Sequence, residues 1–228
     1  MTLLRRLPRP IVGALLLSAL SAAGSGCAAH QDFAVFRAHL PRSILVLPPL
    51  NDSSDPGASL SYLSVVTRPI AERGFYVYPV AVVTEFLKQN GMPTPGEMHQ
   101  IRPQKFREIL GADAVLYIEI TGWGSAFHIV AATETVSATA RLFDAASGEL
   151  LWQAARTTRR SSNASGGSTG LAALLIGAVV SQVVNDLVDH THVLARQNAH
   201  ELFEGDQAGL LLGPRHPEFR ARAVRHPR

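Results

Sequence analysis

TVSATARLFDAASGELLWQAART, residues 135–157, alternates as a half-buried strand must. Val136, Ala138, Ala140 and Leu142 fall on one side of the pleat, and Ser137, Thr139, Arg141 and Phe143 on the other. Ala145-Ala146-Ser147-Gly148 reads as a hairpin turn with Gly at its end. The chain returns through Glu149–Thr157, which carries Trp152, and Phe127–Ala131 reads as a further antiparallel strand before it. The meander therefore spans Phe127 to Thr157.

Upstream the pattern changes. Ser43–Leu47 (SILVL) is a continuous apolar run between Pro41 and Pro48-Pro49, and Ala114–Thr121 (AVLYIEIT), apolar but for Glu119 and Thr121, reads as another buried strand. Unbroken apolar runs suit central strands covered on both faces. Between them lie a helix over 58–73, with Leu60, Leu63, Val66 and Ile70 roughly on one face, and a strand over Phe75–Val80. A short helix follows over 81–90, then a Pro-rich loop over 91–100. A helix over 103–110 opens on Pro103 and closes on Gly111. Pro69 is expected to kink or restart the first helix. The order strand, helix, strand, helices, strand, meander predicts an α/β fold, a single three-layer domain with a mixed sheet. A long helix closes it, from Leu171 to about Phe203, after a Ser/Gly linker over 161–170.

The amino end is a targeting signal. Arg5, Arg6 and Arg9 precede the apolar run Ile11–Leu20, and small residues follow, Ala22 to Gly26. That is the layout of a secretory signal peptide over 1–26, too short to span a bilayer. The chain's one cysteine, Cys27, stands where cleavage would expose it. Ser25 and Gly26 suit a bacterial lipobox, although Gly24 occupies a place where Leu is usual. Cys27 is thus expected to carry lipid. Each buried CH₂ contributes about 0.8 kcal/mol, so three acyl chains would anchor the protein permanently. Ala28 follows, with no Asp to retain the protein at the inner membrane. The expected location is the periplasmic face of the outer membrane, with residues 27–42 as a lipidated tether anchored by Phe33, Val35 and Phe36, and 43–203 as the periplasmic domain.

Position also corrects the charge. The whole chain has a formal charge of +3. Without the signal it holds 18 basic and 18 acidic residues. Residues 214–228 contain five Arg against Glu218, which leaves 28–213 with 13 basic and 17 acidic residues. No basic face for nucleic acid is visible, so no nucleic-acid partner is expected. Residues 204–228 are expected to form an Arg-rich disordered tail. It could attract anionic lipid headgroups or acidic polymer, or simply be solvated.

RSILVLPPLNDS (42–53), TRPIAERGFYVYPVAVVTEFLKQNG (67–91), REILGADAVLYIEITGWG (107–124) and ARLFDAASGELLWQ (140–153) together resemble a family of bacterial lipoproteins of unknown function typified by a neisserial vaccine-candidate antigen. The resemblance covers roughly residues 32–203 and excludes the Arg-rich tail. It implies a fold similar to the anticodon-binding or TolB amino-terminal domain. It also implies company with lipoproteins that serve curli secretion, exopolysaccharide export and activation of penicillin-binding proteins. A curli-channel-like lipoprotein is the partner it suggests. It supplies no catalytic residues, and likeness to an anticodon-binding module is no argument for RNA binding.

Candidate chemistry is sparse. Asn51, Asp52 and Asp55 form a polar loop beyond the carboxyl end of a central strand, where open α/β sheets place ligands. The same residues are ordinary turn formers and helix caps, and that reading is preferred. His190 and His192 lie about 200° apart on a helix and cannot share an ion, and His200 would need ligands from elsewhere. No metal site, cofactor or catalytic set is expected, and no G-x-S-x-G, P-loop or G-x-G-x-x-G occurs. Asp113 is expected to cap a strand entry and Asp144 the hairpin.

Residues 171–184 (LAALLIGAVVSQVV) are apolar over most of a helix circumference, yet too short to span a bilayer. They either pack on the sheet or meet another copy or a partner. Leu171, Leu174, Leu175, Val179 and Val183 are the expected oligomer or partner surface. The function this predicts is that of a non-enzymatic accessory component of an envelope export or secretion system, working by protein–protein contact. The alternatives are a module that docks on a cell-wall enzyme and a small-ligand binder using the Asn51 loop.

Overall fold

The computed structural model describes residues 33–128, 131–163, 191–205 and 208–219, with only the backbone given for 125–128, 131–132 and 162–163. The described elements belong to one compact unit, Gln31–Arg228. In chain order they are α1 (Ala34–His39), β1 (Ser43–Val46), β2 (Leu50–Asn51), α2 (Ala58–Glu72), β3 (Tyr76–Val77), α3 (Val80–Gln89), α4 (Pro95–His99), α5 (Pro103–Leu110), β4 (Ala114–His128), β5 (Ala131–Asp144) and β6 (Leu150–Asn163). Residues 191–204 form a further helix, α6.

The sheet runs β3-β1-β4-β5-β6, with β2 also paired to β4. β1 is parallel to β3 and β4, and β2 is parallel to β4, whereas β4–β5–β6 is an antiparallel meander. The mixed sheet expected from the two kinds of apolar pattern is therefore present. β1 and β2 are one strand interrupted by Pro48-Pro49, which cannot donate to a ladder. Leu47 N–H still reaches Leu116 O (3.1 Å), and Asp52 N–H reaches Ile120 O (3.0 Å). The proline carbonyls turn to opposite layers. Pro48 O accepts from His99 Nε2 (2.9 Å), and Pro49 O accepts from Ser59 Oγ (2.7 Å).

Two cores cover the sheet. On one face Ala114, Leu116, Ile118 and Ile120 of β4 meet Val136, Ala138, Ala140 and Leu142 of β5 beneath α1, α2 and α6. On the other, Leu45, Leu47, Val115 and Tyr117 lie under Val83, Leu87, Met98 and Phe106 of α3–α5. This is the three-layer α/β arrangement. Full burial of an aliphatic or aromatic side chain contributes about 1.5–3 kcal/mol, so the two faces hold most of the favourable free energy.

Local signals explain most boundaries. Gly111 takes φ +73 at the end of α5, and Thr94 and Glu97 make a reciprocal capping box at α4, a helix inside the stretch read as a loop. Asp144 Oδ2 accepts from the N–H groups of Ala146 and Ser147 (2.9 and 2.7 Å) and so closes the hairpin. Asp113 Oδ2 accepts from the N–H groups of Arg42 and Ser43 (3.0 and 3.1 Å) at the entry to β1.

Several expectations need correction. Pro69 does not restart α2, which runs unbroken from Ala58 to Glu72 with the proline inside it, at the loss of one N–H donor near the helix end. The strand expected over 75–80 shrinks to Tyr76–Val77, since Pro79 leads straight into α3. The expected tether is, from residue 33 onward, part of the domain: α1 sets Phe36, fully buried, edge-on to Phe75 (6.2 Å). The tail expected to be disordered from 204 is, over 208–219, fastened to the domain. Leu210 is in the core, Leu210 N–H bonds Phe203 O (2.8 Å), and Gly213 N–H bonds Arg73 O (2.7 Å). Residues 210–212 are too few to show a period, yet Leu210 suffices to seat this segment, 208–219, as a strap. The meander strands also run longer than expected, and a register shift at Ile120/Gly122 lets β4 continue past Thr121.

Candidate functional site

The Asn51 loop spends its polar atoms on itself. Asn51 Oδ1 accepts from Ser53 N–H (3.0 Å) and Ser53 Oγ (2.6 Å), and Asn51 Nδ2 donates to Asp55 O (2.7 Å). Asp55 Oδ1 accepts from Gly57 N–H (2.8 Å) just ahead of α2. That is the turn-and-cap chemistry of these residue types. Asp52 is exposed, and its backbone N–H extends the β2 ladder. Among the described residues no group of three His, Cys, Asp or Glu side chains is placed to hold a metal ion. His192 Nδ1 lies 3.0 Å from Ser61 Oγ, a bond between α6 and α2. Cys27, His190, Leu171, Leu174, Leu175, Val179 and Val183 lie outside the described residues.

The polar chemistry that the fold concentrates was not legible beforehand. Asn198 on α6 is fully buried. Its Oδ1 accepts from Tyr62 Oη on α2 (2.9 Å). Its Nδ2 faces Val136 O, Arg156 O and Thr158 Oγ1, each at 3.1 Å, so its two hydrogens serve three acceptors. Thr158 Oγ1 donates onward to Glu201 Oε2 (2.9 Å). Burial pushes the Tyr62 phenol well above its ordinary range, so it stays a donor. The cluster binds α2, α6, β5 and β6 together, and every member already has a partner. It reads as structural rather than catalytic. The signal was faint: an Asn and a Tyr that look like the polar parts of two amphipathic helices.

On the opposite face His99 stands edge-on to Tyr117 (5.2 Å), which stands edge-on to Phe143 (5.4 Å). Burial lowers the His99 pKa, aided by nearby Arg141 and opposed by its bond to Pro48 O. Burial pushes the Tyr117 phenol up to about 12. Tyr117 Oη donates to Ile101 O (2.8 Å).

An open groove of about 500 Å³ lies between α2, β3 and the strap. Thr67, Arg68 and Ala71 form one wall, Phe75–Val80 the other, and Arg215 closes an end. The Arg215 guanidinium lies 5.3 Å from the centre of the Tyr76 ring. Arg68 Nε donates to Glu72 Oε1 (2.8 Å). No described helix is long and apolar enough to cross a membrane.

The comparisons agree with this architecture. The profile of a family described as "Putative lipoprotein GNA1162-like" matches residues 31–215, which includes most of the strap. "Putative lipoprotein NMB1124/NMB1162" of Neisseria meningitidis serogroup B is 40% identical over 209 residues, covering 91% of this chain and 96% of that protein. The crystal structure of lipoprotein GNA1162 from Neisseria meningitidis shares 43% identity and a TM-score of 0.52, over 64% of this chain and 99% of that one. A fainter likeness, 17% identity and TM-score 0.38 over 73% of this chain and 88% of that one, is to the PelC dodecamer of Paraburkholderia phytofirmans, too slight to carry function. With a family profile along most of its length and a relative matched almost end to end, the chain belongs to the GNA1162-like lipoprotein family.

Proposed function

We propose that this protein is a non-enzymatic lipoprotein of the outer membrane, held by acyl chains on Cys27 with its α/β domain in the periplasm. It serves as an assembly or accessory component of an envelope export or secretion system. It works through contacts with other proteins, including copies of itself and a curli-channel-like lipoprotein. The observation that carries the reading is membership of a lipoprotein family, joined to a single cysteine at the end of a secretory signal. The fold supports it in a second way: Asn198, Tyr62, Thr158 and Glu201 are committed to holding layers together, while the open features are surfaces.

Fractionation tests the anchor. The wild-type chain should sediment with outer membranes and leave them only with detergent. The Cys27→Ser chain should appear in the periplasmic fraction or remain as unprocessed precursor in the inner membrane. A Cys27→Ser protein that still fractionates with outer membranes would remove the lipid from the argument. Co-purification with a curli-channel-like lipoprotein, lost when either is deleted, tests the partner.

A further inference from the structure

We propose that the groove beside β3 is a docking site for an extended, carboxylate-bearing segment of a partner protein, laid along the free edge of that strand. This rests on the reading that the protein works by protein–protein contact, and it names one surface and the chemistry that surface takes.

β3 is the edge of the sheet. Tyr76 N–H bonds Arg42 O (3.0 Å) and Tyr78 N–H bonds Ile44 O (3.2 Å), both toward β1. In a parallel pair the intervening residue faces the other way, so Val77 turns its N–H and C=O to the open side. Such a rung is a template for strand addition. The chain already uses the start of this edge: Arg215 N–H of the strap bonds Gly74 O (3.1 Å).

Charge selects the occupant. Arg215 makes no ion pair with a carboxylate among the described residues, and it is held in place over Tyr76. Arg68 stands on the facing wall, paired with Glu72 and also within the field of Glu204. Arg68 is already matched by acids of its own chain, so the guanidinium of Arg215 is the one that leaves room for an acid from outside. Val77 and Val80, both half-buried, offer apolar surface for the alternate side chains of an extended segment. A bare phosphate or a lipid headgroup would use the arginines but neither the rung nor that surface. The last nine residues of this chain carry four Arg and no acid, the wrong sign for the groove.

The test uses the full lipidated protein in detergent micelles and a displayed library of random octapeptides. The binders should share an Asp or Glu, with β-branched or apolar residues at alternate positions. A fluorescent synthetic copy of one binder is then titrated by anisotropy. Arg215→Glu should weaken binding by about tenfold or more, as should replacing the peptide's acid with its amide, whereas Arg215→Lys should retain most of it. Val77→Pro removes the outward N–H but no bond to β1, and should also weaken binding. If that variant fails to fold, the exposed Arg215→Glu change still decides. Binders without an acid preference, or indifferent to Arg215→Glu, would overturn the proposal. So would an empty selection alongside Arg215-dependent binding of inorganic phosphate or phosphatidylglycerol vesicles, which would make this an anion or lipid surface. Fractionation of Cys27→Ser involves no residue of β3, so the anchor and the groove can fail separately.

Discussion

Replacing Asn198 by alanine would strand the buried Tyr62 hydroxyl and take a donor from Thr158 Oγ1 and two main-chain carbonyls. Each buried polar group left unpaired costs about 1–3 kcal/mol, so Asn198→Ala should lower unfolding stability by about 3 kcal/mol or more. Urea unfolding should show a lower midpoint with an unchanged slope; a change within half a kcal/mol would mean water satisfies the cluster. His99 is the second informative residue. Its folded pKa is depressed by burial, while the unfolded chain titrates near the ordinary value of about 6.5. Below that pH the unfolded chain binds a proton that the folded chain resists, so this residue's contribution to stability falls as pH drops through the histidine range. His99→Gln keeps a donor for Pro48 O and cannot titrate. Its melting temperature should fall less than that of the wild type between pH 7.5 and 5.5, and parallel curves would assign the acid sensitivity elsewhere. Neither residue announces itself in sequence. A buried Asn and a buried His are defined by what two distant segments bring to them, which no local pattern records.

Single elements were more legible. The alternation of β5 set which side chains enter the core, and Pro103 with Gly111 fixed α5 to the residue. What local pattern could not give was extent: the strand expected to stop at Thr121 continues through Gly122, which lies against Ser137, and Gly124, which takes φ +106. The strap was missed for the opposite reason, being too short to show a period. Its seat makes a prediction. Gly74 has φ +87, and a Cβ there would meet the backbone N of His216 at 2.3 Å. Gly74→Ala should cost about 1–3 kcal/mol through the left-handed backbone alone and should also lift the strap. Limited trypsin digestion should then cut after Arg215 well before the body is attacked. Cleavage at the wild-type rate would show that the strap is held by Leu210 rather than by its contact with Gly74.

At the scale of the whole molecule, the place of residues 191–204 bears on how the apolar run 171–184 can be tested. Residues 191–204 are core: Leu194, Ala195, Asn198, Leu202 and Phe203 are all buried, and Phe203 stacks on Trp152 at 5.4 Å. Deleting 171–203 would therefore unfold the domain and say nothing about assembly. A point charge is the sharper tool. Leu175→Glu puts one carboxylate into the run 171–184, apolar on most sides. If that run is a contact between copies, light scattering of residues 28–228 across a concentration series should show an oligomer that falls to monomer in the variant. The melting temperature of the dilute monomer should then stay close to that of the wild type, because the core under α6 is untouched. If the run is the last layer of the core instead, the charge is buried without a partner. The melting temperature should then drop by several degrees while the mass stays the same. Mass and melting temperature thus move separately under the two arrangements, and a wild-type chain that is monomeric at every concentration would by itself exclude the contact between copies.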